Sequence, residues 1–162
     1  MKYFPVAIRV KDTDVLVVGG GLIGQRKILS LLKCSAKVIL VSPEVTPVLA
    51  RLAGVKKITW FKRKFIRKDV SKAKIVFAAT NDLKVNKKIS LWANKKGTLV
   101  NIADNENLSN FISPAVLRKG RAVIAVNSDG REPELSRDLK YFLKENWNEF
   151  LSYRSKLQER NS

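Results

Sequence analysis

The sequence predicts an α/β fold built on a parallel sheet, and three observations support this class. A β-branched-rich segment at residues 14–18 runs into closely spaced glycines and then into a segment with helical spacing. Apolar segments of strand length alternate with helical segments as far as about residue 102, which indicates right-handed β-α-β units. Residues 74–79 are almost continuously apolar, as expected for a strand buried on both faces.

The elements of this first region can be placed in order along the chain. After an extended segment at residues 3–10, we expect strands at 14–18, 37–41, 57–61, 74–79 and 98–102, with helices at 22–34, 44–53 and 82–96. Ser42 and Pro43 signal the end of the second strand, and Gly54 the end of the second helix. Asp82 is the predicted N-cap of the third helix, and Gly97 its C-terminal stop.

The pattern changes after about residue 110. Strands are predicted at 114–118 and 121–127, joined across Lys119 and Gly120, and helices at 132–146 and 148–159. We therefore expect a dinucleotide-binding Rossmann domain at residues 1–112 and a hairpin-plus-helix region at 113–162. The second region is too small to bury a good core alone. Its hairpin is therefore predicted to pair with a second copy of the chain in a symmetric dimer.

The glycine loop is the most informative motif. Gly19, Gly21 and Gly24 form a Gly-x-Gly-x-x-Gly turn between the first strand and the first helix, the arrangement that binds dinucleotides. Gly19 permits the tight turn, Gly21 lets a pyrophosphate approach the backbone, and Gly24 lets helix and strand pack closely. A glycine loop without a ligand is the alternative. Gln25 stands where a Walker-type phosphate loop requires lysine.

The end of the second strand bears on which dinucleotide is bound. The acidic residue that holds the ribose diol normally lies about 20 residues after the last glycine. Ser42 occupies the strand end, and Glu44, two residues on, could bind the ribose or cap its helix. No arginine follows immediately to hold a 2′-phosphate, so NAD is favoured over NADP. Ala79, Thr80 and Asn81 close the fourth strand at the same edge and are predicted to contact the cofactor.

Composition excludes some functions and favours others. The 162-residue chain has no histidine, which excludes a histidine-ligated metal site and removes the commonest general base. Its 32 basic and 14 acidic residues give a net charge of +18, which favours nucleic acid or a small substrate with many carboxylates as a partner. The densest basic stretch, residues 56–74, alternates with apolar residues, which favours a solvated sheet edge over a nucleic-acid face.

Location can be predicted from two further features. No apolar run approaches the roughly 18 residues that span a bilayer, so no membrane association is expected. The single cysteine, Cys34, cannot form an internal disulfide and fits a reducing cytoplasm. Cys34 is interpreted as a small core residue rather than a nucleophile.

Asp104 is the candidate catalytic residue. It follows the fifth strand within Asn101-Ile102-Ala103-Asp104, which places a carboxylate at the edge of the sheet where ligands bind. Without histidine, an aspartate is the natural base or metal ligand at this position. The alternative is a loop aspartate that caps a turn with Asn105.

Taken together, these segments resemble the dehydrogenase module of siroheme synthase, the precorrin-2 dehydrogenase family, of which some members are also sirohydrochlorin ferrochelatases. The resemblance runs nearly from end to end, and its last three blocks are the most distinctive. It is carried by the segments Tyr3-Phe4-Pro5-Val6, Val17–Gly21 with Arg26-Lys27, Ala78–Asp82, Val100–Asp104, Asn110–Ala115, and Ala125–Gly130 leading to Pro133-x-Leu135-x-Arg137.

The resemblance implies an NAD-dependent precorrin-2 dehydrogenase that is homodimeric, cytoplasmic and independent of nucleic acid. Leu22, Ile23, Pro43 and Glu44 fall where the family's backbone meets the dinucleotide. Asp104 matches the family's catalytic aspartate, as the base or as the group that orients the macrocycle.

Two further residues are assigned to the tetrapyrrole. Asn101 and Ser128 match positions expected to bind substrate, although the Ser128 hydroxyl could instead satisfy the turn at Asp129-Gly130. No residue is assigned as a resident metal ligand. Arg131-Glu132 departs from the family, which commonly has a small polar residue before Pro133. Precorrin-2 carries eight carboxylates, so the resemblance also accounts for the basic excess by long-range steering.

Three alternatives stay open at this point. A bifunctional enzyme would also insert Fe²⁺ into sirohydrochlorin. A non-catalytic NAD-sensing domain would share the fold but has no reason to carry residues 101–114 as they stand or the basic excess. A nucleic-acid-binding protein would bind with an affinity that falls steeply with salt and is indifferent to NAD.

Overall fold

The computed structural model describes residues 2–103 and 105–160. Within it the chain divides into two units. The larger unit is Pro5–Ile112, and the smaller unit joins residues 2–4 to residues 113–160. Asp104, the predicted catalytic residue, lies outside the described residues.

The larger unit is built on a five-stranded, fully parallel sheet, which confirms the predicted fold class. The strands are β1 (Asp14–Gly20), β2 (Lys37–Val45), β3 (Thr59–Phe61), β4 (Ile75–Ala78) and β5 (Leu99–Ile102), and their order across the sheet is β3-β2-β1-β4-β5. The helices are α1 (Leu22–Leu32), α2 (Pro47–Gly54) and α3 (Leu83–Lys95), with short 3₁₀ helices at Arg67–Ser71 and Glu106–Leu108.

Two apolar layers cover the central strand, one on each face of the sheet. Val15 and Val17 of β1 pack in one layer with Ile28 of α1 and Leu49 of α2. Residues of opposite parity on β1, Leu16 and Val18, pack in the other layer with Ile89 and Ala93 of α3. This double burial is why the strands are continuously apolar, and it leaves their carboxyl ends as the edge at which the connecting loops meet.

The end of β2 differs from the prediction. The strand continues through Pro43 to Val45 instead of ending at Ser42. Pro43 is tolerated because β3 pairs only with Ile39–Val41, so no neighbouring strand on that side needs an amide donor from residue 43. The following helix therefore begins at Pro47 rather than at residue 44.

The N-cap of α2 is Thr46, so the prediction that Glu44 could cap this helix is wrong. The Thr46 Oγ1 accepts the amide of Leu49 at 3.4 Å, and Pro47 occupies the first helical position, where its missing N–H costs nothing. The other predicted cap is confirmed, since Asp82 Oδ1 accepts the amides of Lys84 and Val85 at 2.8 and 3.1 Å.

Four smaller differences complete the comparison for the larger unit. Residues 2–10 belong to no helix or strand, and α1 ends at Leu32 rather than at residue 34. The strand β3 has only three residues. The connection from β3 to β4 contains a five-residue 3₁₀ helix in place of a full crossover helix.

The smaller unit is an antiparallel hairpin packed against a helix. Its elements are β6 (Ala115–Lys119), β7 (Ala122–Val126), α4 (Pro133–Glu145) and α5 (Trp147–Arg160). The hairpin turn is Gly120–Arg121, one residue later than predicted, with Gly120 at a φ of +57°. Helix α4 contacts both strands, and Leu117 of β6 is buried. None of the helices within the described ranges combines the length and apolar character needed to cross a bilayer.

Candidate active site

The glycine loop brings three strand ends together at the carboxyl edge of the sheet. Gly19 has a φ of +106°, and a side chain there would overlap the carbonyl of Ala79. A side chain at Gly24 would overlap the carbonyl oxygen of Gly19, so this glycine allows α1 to lie directly against β1. Gly20, which the spacing motif does not specify, has the same constraint from the carbonyl of Glu44. These three glycines are therefore required by the packing of the loop itself.

Gly21 differs from its neighbours because it faces open space. It is the N-cap of α1, its φ of −75° is available to any residue, and a Cβ there would meet no atom within 4 Å. The first hydrogen bond of the helix runs from the Gln25 amide to the Gly21 carbonyl at 2.9 Å. The amides of Leu22, Ile23 and Gly24 precede that bond, and no side chain of the described residues caps this end. This cradle fits a dinucleotide pyrophosphate.

The end of β2 is tied to the glycine loop by Ser42. Its buried hydroxyl accepts the Gly20 amide at 3.1 Å and donates to the Glu44 carbonyl at 2.6 Å. The Ser42 carbonyl accepts the indole N–H of Trp60 at 2.9 Å. The hydroxyl and the carbonyl of Ser42 are thus both hydrogen-bonded within the protein. Pro43 and Glu44, which follow, are exposed.

A second link joins this region to α1. The Thr46 hydroxyl donates to Gln25 Oε1 at 2.5 Å, and the Thr46 amide donates to the Gly20 carbonyl at 3.0 Å. Thr46 thus caps α2 and anchors the loop at once. The sequence did contain a signal for the capping role of Thr46, namely a threonine directly before a proline at a helix start.

The segment after β4 lies beside the glycine loop. The Ala79 amide donates to the Val18 carbonyl at 2.8 Å, so residues 79–81 leave the sheet next to the end of β1. The Thr80 hydroxyl donates to Asn86 Oδ1 at 2.7 Å, and Asn86 Nδ2 returns a bond to the Thr80 carbonyl at 3.0 Å. Asn86 is buried on α3. Its role was not predicted from the sequence, although a polar residue on the apolar face of a helix is a signal for such a role. Asn81 is exposed.

The described residues on either side of position 104 are held by hydrogen bonds. Before it, the Ala103 amide donates to the Ala78 carbonyl at 2.8 Å. After it, the Asn105 side chain accepts the Leu108 amide at 3.2 Å. The Ser109 hydroxyl accepts the Ile102 amide and donates to the Asn105 carbonyl, each at 2.9 Å, and so bridges the two flanks.

Asn110 completes the exposed edge of β5 in place of a sixth strand. Its Oδ1 accepts the Val100 amide at 2.7 Å, its backbone amide donates to the Val100 carbonyl at 3.0 Å, and its Nδ2 donates to the Thr98 carbonyl at 3.0 Å. Next to it, the buried Asn101 donates from Nδ2 to the Phe111 carbonyl at 3.1 Å. These bonds engage the side chains of Asn101 and Asn110 within the protein.

Ser128 lies in the smaller unit. Its hydroxyl donates to the Glu132 carbonyl at 2.6 Å, accepts the Glu132 amide at 3.1 Å, and lies 3.1 Å from the hydroxyl of the buried Ser136. Asp129 accepts the backbone amides of Lys2 and Tyr3 at 3.1 and 3.3 Å, which joins the N-terminus to this loop. Within residues 2–103 and 105–160, no group of three acidic, cysteine or histidine side chains is placed to hold a metal ion.

Comparison with known proteins identifies related sequences and a related structure. The family model described as "Putative NAD(P)-binding" matches residues 6–115. Siroheme synthase 1 of Klebsiella pneumoniae subsp. pneumoniae is 36% identical over 140 residues, 86% of this chain and 30% of that protein. The siroheme synthase of Nitrosomonas europaea is 38% identical over 141 residues, again 86% of this chain and 30% of that protein. This chain thus spans about a third of the length of the siroheme synthases that it matches.

A solved structure matches almost the whole chain. The structure of SirC, precorrin-2 dehydrogenase, superposes with a TM-score of 0.82 and 30% sequence identity, covering 97% of this chain and 78% of that one. The sequence, the glycine loop and the order of the strands agree in this assignment, which confirms the resemblance drawn from the motifs. The chain therefore belongs to the NAD(P)-binding family and, within it, to the siroheme synthase module family that includes precorrin-2 dehydrogenase.

Proposed function

We propose that this protein is an NAD-dependent dehydrogenase that oxidises precorrin-2 to sirohydrochlorin. The observation that carries this proposal is the glycine loop, in which Gly21 has open space beside it and the start of α1 has no side-chain cap, while the neighbouring glycines are closed by the protein's own backbone. Membership of the family of SirC, precorrin-2 dehydrogenase, supports the choice of substrate.

The residues at the carboxyl edge have distinct roles in this proposal. Gly19 and Gly24 shape the turn, and the amides of Leu22 and Ile23 bind the pyrophosphate. The Glu44 side chain, next to Pro43, accepts hydrogen bonds from the ribose diol of NAD, and its exposure supports this role. When bound, the dinucleotide supplies the hydride acceptor that a dehydrogenation requires.

The segment after β4 and the strand β5 complete the proposed site. Residues 79–81 contact the cofactor through their backbone, since the Thr80 side chain is already bonded to Asn86. Asp104 accepts the proton that leaves the macrocycle, or orients the ring. Asn101 and Ser128 bind the tetrapyrrole. The net charge of +18 attracts a substrate with eight carboxylates from a distance.

We also propose that the protein acts as a homodimer in the cytoplasm, with its interface on the smaller unit. Leu135, Leu139 and Phe142 of α4 follow at helical spacing and are 53%, 43% and 59% exposed. On the outer face of the hairpin, Val116 and Val123 are also exposed. An apolar face of this kind is best covered by a second copy of the chain. Insertion of Fe²⁺ stays an alternative second activity.

The test is an anaerobic assay with precorrin-2 generated in situ and NAD⁺ added. NADH and the sirohydrochlorin spectrum are followed for the wild type, for Asp104→Asn and for the control Asp12→Asn. Asp12 is an exposed turn residue before β1 with a φ of +57°, which asparagine tolerates, so the control makes the same charge change at the opposite edge of the sheet.

We expect Asp104→Asn to lower kcat at least a hundredfold, as is typical for loss of a general base, while NAD⁺ binding persists. Asp12→Asn should retain wild-type turnover. Clear NAD⁺ binding without sirohydrochlorin formation in the wild type would contradict the enzyme and favour an NAD-sensing domain. Faster spectral change on adding Fe²⁺ would add the chelatase activity.

A further inference from the structure

A cavity of about 580 Å³ lies at the amino ends of the strands, away from the glycine loop. Its lining includes Asp14 and Lys37, which begin β1 and β2 and are paired in the sheet. Because a strand rises about 3.3 Å per residue, Asp14 lies roughly 20 Å from the glycine loop at the other end of β1. The cavity is thus separate from the proposed cofactor site.

The cavity exists because the crossover from β3 to β4 is incomplete. Residues 62–74 cross the face of the sheet with only a five-residue 3₁₀ helix, where a parallel connection usually has an α-helix. Ile39 therefore stays half-buried, although β2 is an interior strand of the sheet. Phe61 and Ile66 are 43% and 49% exposed beside it. The cavity consequently has an apolar floor.

The rim of the cavity is strongly basic. Six cationic side chains line it, namely Lys37, Lys56, Lys57, Arg63, Lys68 and Lys72. Arg63 is already paired with Asp69 through two hydrogen bonds of 2.6 and 2.8 Å. Among the described residues, Asp14 is the one other acidic group in the lining, so five lysines face a single carboxylate. The electrostatic repulsion among these lysines is relieved when an anion enters the cavity.

We propose that this cavity binds a small organic polyanion, a molecule with an apolar ring or chain that carries at least three carboxylate or phosphate groups. The volume lies within the range of ligand sites, the floor offers apolar contact, and the lysines pair with the acidic groups. A nucleoside triphosphate and a polycarboxylate tetrapyrrole both have this chemistry. The cavity is separate from the proposed dehydrogenase site, because its lining shares no residue with the glycine loop or with β5.

The experiment measures binding by isothermal titration calorimetry with NAD⁺ at saturation, which keeps the glycine loop occupied. The probes are ATP and uroporphyrin, a stable tetrapyrrole with eight carboxylates. The proteins are the wild type, the double variant Lys57→Gln/Lys68→Gln, and the control Lys87→Gln/Lys88→Gln. The control removes the same charge from exposed positions of α3 outside the cavity. Neither pair belongs to the proposed cofactor or catalytic residues.

We expect at least one probe to bind the wild type and to lose about tenfold or more in affinity in the cavity variant, since each lost contact is charge-assisted. The control should bind like the wild type. The probe that responds identifies the source of the ligand, a nucleotide or a tetrapyrrole.

Three results would overturn the proposal. One is that neither probe binds the wild type with a Kd below 1 mM. Another is equal weakening in the cavity and control variants, which would indicate general attraction by the net charge. The last is that an RNA oligonucleotide binds far more tightly than either probe, with an affinity that rises with its length, which would indicate a nucleic-acid surface.

Discussion

At the scale of single residues, the four glycines of the loop are under different constraints. Gly19, Gly20 and Gly24 are closed in by backbone carbonyls of the protein, so any side chain there forces the backbone to move. Gly21 has a conformation open to any residue and no neighbour within 4 Å. A requirement for glycine at position 21 can therefore come only from a ligand. The two kinds of glycine can be separated by substitution.

We predict that Gly24→Ala lowers the stability of the fold, whereas Gly21→Ala lowers the affinity for NAD⁺. Gly24→Ala should lower the free energy of unfolding by about 2 kcal/mol or more, because its Cβ overlaps the Gly19 carbonyl. Gly21→Ala should change stability by less than about 0.5 kcal/mol, yet weaken NAD⁺ binding about tenfold or more, because the new methyl group occupies the approach of the pyrophosphate. Thermal unfolding followed by circular dichroism and NAD⁺ titration calorimetry measure the two effects. Unchanged NAD⁺ affinity in Gly21→Ala would contradict the proposed cofactor site.

At the scale of elements, the crossover from β3 to β4 is held by a local ion pair rather than by a long helix. The Asp69 carboxylate accepts two hydrogen bonds from Arg63 and one from the Ile66 amide at 2.9 Å. Burial alone would raise the pKa of Asp69, but the hydrogen bond from Arg63, the bond from the Ile66 amide and the nearby positive charge together hold that pKa below its ordinary value. The same bond raises the pKa of Arg63.

This pair predicts a pH-dependent contribution to stability. Because the pKa of Asp69 is depressed on folding, its contribution is complete above the unfolded pKa of about 4 and is lost as the pH falls through the lower folded value. Asp69→Ala should therefore lower the free energy of unfolding by about 1–2 kcal/mol at pH 7, and the difference from the wild type should narrow as the pH falls below about 4. Urea titrations across this range measure it.

A surface pair supplies the control for that experiment. Asp138 accepts a hydrogen bond from Arg137 at 3.0 Å, with both side chains more than half exposed. Asp138→Ala should change stability little at any pH, because exposed pairs are screened by solvent. A difference between Asp69→Ala and wild type that does not narrow below about pH 4 would mean that Asp69 acts through packing rather than through its charge.

At the scale of the whole molecule, two surface properties have no explanation within a single chain. The first is the basic excess, which would attract both the proposed substrate and an anionic ligand of the cavity at the amino ends of the strands. The second is the apolar face of α4 and the outer face of the hairpin, which are exposed in the isolated chain. The second property leads to a prediction about assembly.

We predict that the protein sediments as a dimer at micromolar concentration and that Phe142→Ser weakens the dimer about tenfold or more. Phe142 is 59% exposed in the single chain, so its substitution removes apolar contact from the interface with little effect on the fold. Lys144→Ser, an exposed polar position on the same helix, is the matched control. Sedimentation velocity over a concentration series measures both. A wild type that stays monomeric would contradict the proposed homodimer.

The fold was predictable from the sequence where its causes are local. The alternation of apolar strands and helices follows from burial on both faces of a parallel sheet, and Asp82 caps α3 as its position suggests. The end of β2 was not predictable from local signals, whereas Thr46 before Pro47 did mark the start of α2. The strand continues to Val45 because it pairs with Gly20 of β1 beyond the point where β3 stops, which is a property of the paired sheet.

The candidate site was predictable to a similar extent. The spacing of Gly19, Gly21 and Gly24 indicated the loop, and the position of Asp104 after the fifth strand led to the proposal of a catalytic residue at the carboxyl edge of the sheet. The supporting roles of Ser109 and Asn110 were not predicted. These side chains bond to Ile102 and Val100 of β5, and the contacts span too many residues for a short sequence motif to reveal them.

By itself, the sequence determined the fold class, the glycine turn, the family and the residues that carry the proposed chemistry, because each follows from short-range spacing or from matched motifs. Only the tertiary structure decided which glycines are closed by the protein and which one is open to a ligand. It also decided that a short crossover leaves a basic cavity beside β3, since both outcomes depend on contacts between segments distant in the chain.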